Sequence, residues 1–384
     1  MATAVQALRT RRLPPVDNLK SAMVGWVIAG HALLGYSAIG GWPYDEVNEV
    51  TFGRRSELAL AVLVGPSALC IMGTFFFLAG LFAPPALARH GPARFALNRA
   101  VRLGVPFLCF ALLIWPLFMW FAYRAAGHDV SYGWTFTHRQ PFLDSGPLWF
   151  AEVLLIFSVA YALWAGRPAR RTRSPRDPAA VGMRQLVAWA AGIAVASFAV
   201  RLVAPARSTQ VLDLHLWQWP QCAAMFALGV AVAPHGWAVR VPEPVYRGCG
   251  RTVAAILAIV PVLAVAFGIS DLAADATPFL GGWHWQAAIL AGVEASLVVA
   301  GSMWALGFAQ RRLVRGAAFS AACGRGAYAA FVIQGPVLLA LAIAARPFEL
   351  PAESKALLVG ALAVPACFGL GRLLADRTPL RGVL

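Results

Sequence analysis

Ten long apolar stretches recur along the chain and constrain its fold more than any other feature. Each is about the length that a helix needs to cross a hydrocarbon core roughly 30 Å thick. They lie at residues 19–40, 58–84, 103–123, 147–165, 186–205, 218–234, 252–270, 285–309, 318–345 and 356–375. Because lipid cannot satisfy exposed backbone groups, each stretch is expected to be a helix. The sequence therefore predicts an all-α polytopic membrane protein with about ten transmembrane helices.

The composition agrees with this interpretation. Of the 384 residues, 60% are hydrophobic and only 13% are charged, which is more apolar surface than a soluble domain hides. We expect one membrane domain over residues 1–384, without a separate soluble domain. The six cysteines form no CxxC motif, so neither a disulfide framework nor a metal site is expected.

The net charge of +15 indicates orientation rather than nucleic-acid binding. If the N-terminus is cytoplasmic, most of the 32 basic residues fall in the inner loops, and most acidic residues fall in the outer ones. This alternation follows the positive-inside rule. It predicts that both chain ends are cytoplasmic and that the partner of the basic surface is the lipid bilayer, with no nucleic acid.

Lys20 and His31 lie eleven residues apart in the first apolar stretch. Eleven steps of about 100° bring both side chains to one helix face, separated by a rise of about 16 Å. Lys20 then lies at the membrane surface and His31 near the bilayer centre. A titratable ring at that depth marks a candidate functional site. The alternative is a neutral histidine bonded to a neighbouring helix.

Arg99 and Arg102 precede the third stretch, three residues apart and therefore on one helix face. Guanidinium groups bind phosphate with two parallel hydrogen bonds, and a helix N-terminus at this point adds partial positive charge. The pair predicts an anion site at the cytoplasmic end, level with Lys20. The alternative is two ordinary positive-inside anchors.

Three further polar or aromatic residues are candidates for the site. Glu152 lies inside the predicted outer end of the fourth stretch, where an ionised carboxylate is costly unless it is paired or hydrated. It is expected to orient or polarise His31, or to hold a substrate hydroxyl; the alternative is a protonated carboxyl bonded to a neighbour. Trp149 lies beside it. Gln334 is an amide in the ninth stretch, either joining helices or lining a cavity.

The order of these motifs resembles the membrane-bound acyltransferase-3 family, including the type that succinylates periplasmic glucans. The matching features are Lys20 with His31, the phenylalanine-rich end of the second stretch followed by Arg99-x-x-Arg102, and the Leu148-Trp149-Phe150 run. The resemblance covers the whole chain. It departs at Gln334, where many members carry His, and no hydrolase-like domain is appended.

The resemblance implies transfer of an acetyl or short acyl group from cytoplasmic acyl-coenzyme A to a hydroxyl of an extracytoplasmic carbohydrate or glycolipid. It also implies a multi-pass protein of the bacterial inner (plasma) membrane, with acyl-coenzyme A as donor and no metal. His31 acts as general base or as acylated nucleophile; the residues leave both open. The expected catalytic residues are His31 and Glu152, and the expected donor-binding residues are Lys20, Arg99 and Arg102. Trp149 and Gln334 are expected to bind substrate.

Two alternatives belong to other functional classes. A transporter or flippase for a solute or lipid-linked sugar explains the helices and the intramembrane charges equally well. It also predicts matched repeats with broken helices, which the sequence does not contain. A non-catalytic receptor or assembly protein gives no reason for Lys20 and His31 to lie on the same helix face.

Overall fold

The computed structural model describes residues 13–37, 50–139, 143–167, 181–206, 208, 212, 214–266, 277–314 and 317–378. Regular structure in these ranges is entirely helical. The helices are α1 Pro14–Leu34, α2 Arg54–Leu63, α3 Gly65–His90, α4 Pro92–Arg99, α5 Val105–Cys109, α6 Trp115–Ala125, α7 Tyr132–Thr137, α8 Trp149–Ala165, α9 Met183–Arg201, α10 Trp219–Val232, α11 Glu243–Ala266, α12 Thr277–Leu280, α13 Trp285–Arg312, α14 Ala317–Ala345 and α15 Ala352–Arg377.

The predicted fold class is confirmed. Among the described residues, eight helical stretches are long and apolar enough to cross a membrane, and they coincide with predicted spans two to five and seven to ten. Helices also occupy the other two predicted positions. These two helices are not among the eight for different reasons. Polar residues lower the hydropathy of α1, and α10 has only 14 residues, although 3-10 turns extend it at both ends. The predicted span ends at residues 40 and 270 lie outside the described residues.

The third span begins eleven residues earlier than predicted. Gly91, at φ 74°, separates α3 from α4, and Pro92 then occupies the first turn of α4. The helical path continues to Ala125 through two π segments, Ala100–Gly104 and Phe110–Ile114. Polar residues close to the membrane surface concealed this start, because they interrupt the apolar run that marked the span.

Helix α1 lies among the long helices that form the site. It packs against α13, α14 and α15, while α3 packs against α10 and α13, and α8 packs against α4. One close crossing joins α3 to α10, where a Cβ on Gly80 would collide with the backbone of Phe226 and one on Gly229 with that of Phe77. Small residues at such crossings allow the two backbones to approach.

Buried polar pairs also join the helices. The Nη2 group of Arg201 in α9 donates to Oε2 of Glu294 in α13 at 2.5 Å, and both residues are almost fully buried. The hydroxyls of Thr74 in α3 and Ser302 in α13 lie 2.8 Å apart. In lipid, a hydrogen bond between two buried side chains avoids the free-energy cost of leaving a polar group without a partner.

Candidate functional site

A cavity of about 900 Å³ lies between α1, α3, α8, α14 and α15, beside the first π segment. It contains the three cations that the sequence predicts to share a site. Lys20 enters from α1, Arg99 from the end of α4, and Arg102 from the π segment. Three basic side chains from two separate parts of the chain therefore line the same cavity.

Aromatic rings hold two of these cations. The Lys20 Nζ atom lies 5.0 Å from the centroid of the Phe82 ring, and the Arg99 Cζ atom lies 5.3 Å from that of Phe95. Cation–ring contacts of this length are attractive and keep the charged group near the aromatic face. The rings favour a defined position for both cations in the cavity wall.

The sequence interpretation of Arg99 and Arg102 was wrong in one respect. The helix that carries them starts at Pro92, so neither residue lies at a helix N-terminus. The positive end of a helix dipole acts within the first turn only. Any anion affinity here therefore depends on the side chains and not on the helix end.

Two carboxylates in the cavity were not predicted. Asp17 lies on the same face of α1 as Lys20, and Asp376 comes from α15. Asp376 accepts a hydrogen bond from the Nε group of Arg372 at 3.3 Å. Three cations and two carboxylates leave this end of the cavity with a small positive excess. The three-residue spacing of Asp17 and Lys20 could have placed Asp17 in the cavity from sequence alone. No sequence pattern indicated Asp376.

The lining at the other end of the cavity is apolar and includes three phenylalanine rings. The centroid of Phe75 from α3 lies 5.7 Å from that of Phe150 and 6.5 Å from that of Phe331. Phe150 and Phe331 are 5.9 Å apart, which completes the triangle. These distances are typical of packed aromatic pairs. We refer to Phe75, Phe150 and Phe331 as the ring cluster.

His31 lies beyond the residues that line this cavity. On α1, the last lining residue is Val24, which precedes His31 by seven residues, or about 10 Å of helix. On α14, the last lining residue is Phe331, one turn before Gln334. His31 Nδ1 and Gln334 Oε1 are 2.9 Å apart. Gln334 is fully buried, and its contact with His31 was not expected from sequence.

Glu152 and Trp149 lie at the start of α8. The α-helix begins at Trp149 after a 3-10 turn, so Glu152 falls in its first turn, where a negative charge is favourable. Trp149 is buried, and its ring stacks on His215 with centroids 4.6 Å apart. Phe150 and Leu154, two residues before and two after Glu152, line the cavity, whereas Glu152 does not. The catalytic role of Glu152 and the acceptor role of Trp149 stay predictions.

Comparison with known proteins identifies the family. No curated protein and no solved structure matches the chain. A family model described as an acyltransferase domain, that of the acyltransferase-3 family, matches residues 15–373 and includes every site residue predicted from the sequence. The chain therefore belongs to the acyltransferase-3 family and is a multi-pass membrane protein with an acyltransferase domain.

Proposed function

We propose that this protein transfers an acetyl or short acyl group from acyl-coenzyme A to a hydroxyl of a carbohydrate or glycolipid on the opposite side of the membrane. The observation that carries the proposal is the cavity with three cations at one end and apolar walls at the other. We further propose that the cationic end faces the cytoplasm of a bacterial cell, in its inner membrane.

The two ends of the cavity suit the two parts of this donor. Coenzyme A carries several phosphates and a slim arm that ends in the thioester. Lys20, Arg99 and Arg102 supply the charges for the phosphates, with guanidinium forks suited to paired oxygens. The walls beyond them are apolar, including Val24, Leu103 and further side chains of the same kind, namely Leu78, Ala79, Leu154 and Ala327.

The reaction then requires the thioester to reach His31. The cavity ends at the ring cluster, whereas His31 and Gln334 lie further along α1 and α14. The donor arm must therefore pass Phe75, Phe150 and Phe331. In this proposal the rings also keep water from the thioester while no acceptor is present, since a hydrolysed donor is lost to transfer.

His31 takes part in the reaction as a general base or as a nucleophile. As a general base, it takes the acceptor hydroxyl proton while the oxygen attacks the thioester carbonyl; the C–S bond then breaks and the sulfur takes the proton. As a nucleophile, the ring attacks the thioester carbonyl first, the C–S bond breaks, and coenzyme A leaves as a thiolate that takes a proton from solvent. The acceptor hydroxyl oxygen then attacks the acylated ring, the acyl C–N bond breaks, and the hydroxyl proton is released to solvent. Both routes release one coenzyme A for each acceptor acylated.

Mass spectrometry of surface glycans and glycolipids tests the proposal. Cells that produce the wild-type protein should carry acyl mass increments that cells without it lack. We expect His31→Ala to abolish these increments while the protein remains folded and inserted. A matched control is His90→Ala, because His90 is exposed at the end of α3 and does not line the cavity.

Two results would contradict the proposal. Increments that persist in the His31→Ala cells would remove the catalytic assignment. A change in the amount of surface glycan without any change in its mass would favour the transporter, since a flippase moves its substrate without modifying it.

A further inference from the structure

We infer that Gln334 is a positioning residue whose Oε1 atom accepts a hydrogen bond from the Nδ1–H group of His31, so that Nε2 is the basic nitrogen in acyl transfer. This inference rests on the proposed function of His31. In this role the Gln334 amide orients the His31 imidazole and does not itself contact the substrate.

The first step of the argument is the orientation of the amide. The Nε2 group of Gln334 donates to the carbonyl oxygen of Phe331 at 3.1 Å. A backbone carbonyl only accepts hydrogen bonds, so the amide nitrogen must be the atom that faces Phe331. The other end, Oε1, therefore faces His31 Nδ1 at 2.9 Å. The amide cannot be flipped without placing two acceptors against each other.

The second step is the tautomer of the ring. An amide oxygen only accepts, so the hydrogen bond requires a proton on Nδ1. In a neutral imidazole the lone pair is then on Nε2, since the bond made by one nitrogen determines the state of the other. Protonation at Nε2 leaves the bond from Nδ1 intact. The contact is thus compatible with both states through which a general base passes.

The third step is the rigidity of the partner. Gln334 is fully buried, and its side chain is bonded both to His31 on α1 and to the backbone of its own helix, α14. These two helices pack against each other. Because both ends of the Gln334 amide are bonded, the side chain is already ordered before the reaction. This order favours one orientation of the His31 ring.

The first test is kinetic. Gln334→Met keeps a similar volume but removes the acceptor, and Gln334→Glu retains an oxygen at the same place. With acetyl-coenzyme A as donor and a host glycolipid extract as acceptor, we expect the Met variant to lower kcat about 10- to 100-fold. The KM for acetyl-coenzyme A should be unchanged, and the Glu variant should recover part of kcat.

A matched control separates positioning from packing. Gln221 is another buried amide, and its Nε2 group donates to the carbonyl oxygen of Leu69 at 2.9 Å. Gln221→Met should reduce stability without a comparable loss of kcat. Equal kcat losses in the Gln334→Met and Gln221→Met variants would overturn the inference.

The second test needs no turnover. Nitrogen-15 NMR of the wild-type protein labelled at its seven histidines distinguishes a protonated from an unprotonated ring nitrogen. The signals lost in His31→Ala assign the residue. We expect Nδ1 of His31 to be protonated and Nε2 unprotonated at neutral pH. A proton on Nε2 with a bare Nδ1 would overturn the inference, even if the Gln334 variants fail to fold.

Failure of the His31 assignment and failure of the Gln334 role give different results. A fully active His31→Ala variant would remove the catalytic assignment of His31, on which the role of Gln334 rests, and would leave acyl transfer itself in place. An inactive His31→Ala variant together with fully active Gln334→Met would leave the proposed function in place and overturn the role of Gln334.

Discussion

At the residue scale, helix geometry accounts for what sequence predicts and what it misses. Lys20 and Asp17 share a cavity because positions three apart share a helix face. That same rule anticipates only contacts within one helix. His31 and Gln334 are 303 positions apart, so their hydrogen bond depends on how α1 and α14 pack. The three cations that share the cavity were grouped from sequence, but this contact was not.

The arginine pair gives a prediction at this scale. Replacing both Arg99 and Arg102 by Ala should weaken acetyl-coenzyme A binding by about 1.5–3 kcal/mol for each lost charge-assisted contact. Replacement of both by Lys should restore only part, because an ammonium retains the charge but not the planar fork. Titration calorimetry on the purified protein measures both effects.

The control for the arginine pair lies on the same helix. Arg94 is exposed on α4 and does not line the cavity, so Arg94→Ala should bind acetyl-coenzyme A as the wild type does. Unchanged binding in the Arg99→Ala, Arg102→Ala double variant would return these residues to the role of membrane anchors.

At the element scale, apolar length predicted helix positions but not helix irregularities. The second π segment illustrates the reason: Arg139 Nη1 donates to the carbonyl oxygen of Ala111 at 2.5 Å. Local widening of a helix changes which backbone groups are paired, and here a side chain from beyond α7 bonds to one of them. Because that partner comes from a separate part of the chain, the local sequence of the span does not reveal it.

The crossing of α3 and α10 gives a prediction at this scale. An added methyl group on Gly80 or Gly229 meets backbone atoms of the facing helix, which cannot rotate away. Gly80→Ala and Gly229→Ala should each destabilise the protein by about 1–3 kcal/mol or more. Thermal unfolding in detergent measures the loss.

The matched control for this crossing is Gly192→Ala in α9. A Cβ at Gly192 has no heavy atom within 4 Å, and alanine is the better helix former. Its unfolding temperature should equal or exceed that of the wild type. Equal stability of Gly80→Ala and Gly192→Ala would show that α3 and α10 are not packed as closely as described.

At the scale of the whole molecule, the central question is which end of the cavity faces the cytoplasm. The cationic end contains Lys20, Arg99 and Arg102, and basic residues predominate in the loops on the predicted inner side. The positive-inside rule predicts that this end faces the cytoplasm, from which the proposed donor would enter. Orientation was thus predicted from the distribution of charge along the sequence, while the cavity required the fold.

Reporter fusions test that orientation. Fusions after residues 175 and 315 should report a cytoplasmic location, and fusions after residues 135 and 275 an external one, because basic loops remain inside. Residues 175, 275 and 315 lie outside the described residues, so the fusions add information that the structure does not contain. One reversed loop would show that a span has been miscounted.

Transfer of an acetyl group across a sealed membrane tests the proposed function and its orientation together. Inside-out vesicles present the predicted cytoplasmic face to the medium, where acetyl-coenzyme A with a radiolabelled acetyl group is supplied. The account predicts that label appears on glycans or glycolipids on the lumenal side, with release of coenzyme A outside, and that His31→Ala abolishes both. Labelled acceptor in the His31→Ala vesicles, or label only when the donor is sealed inside, would contradict it.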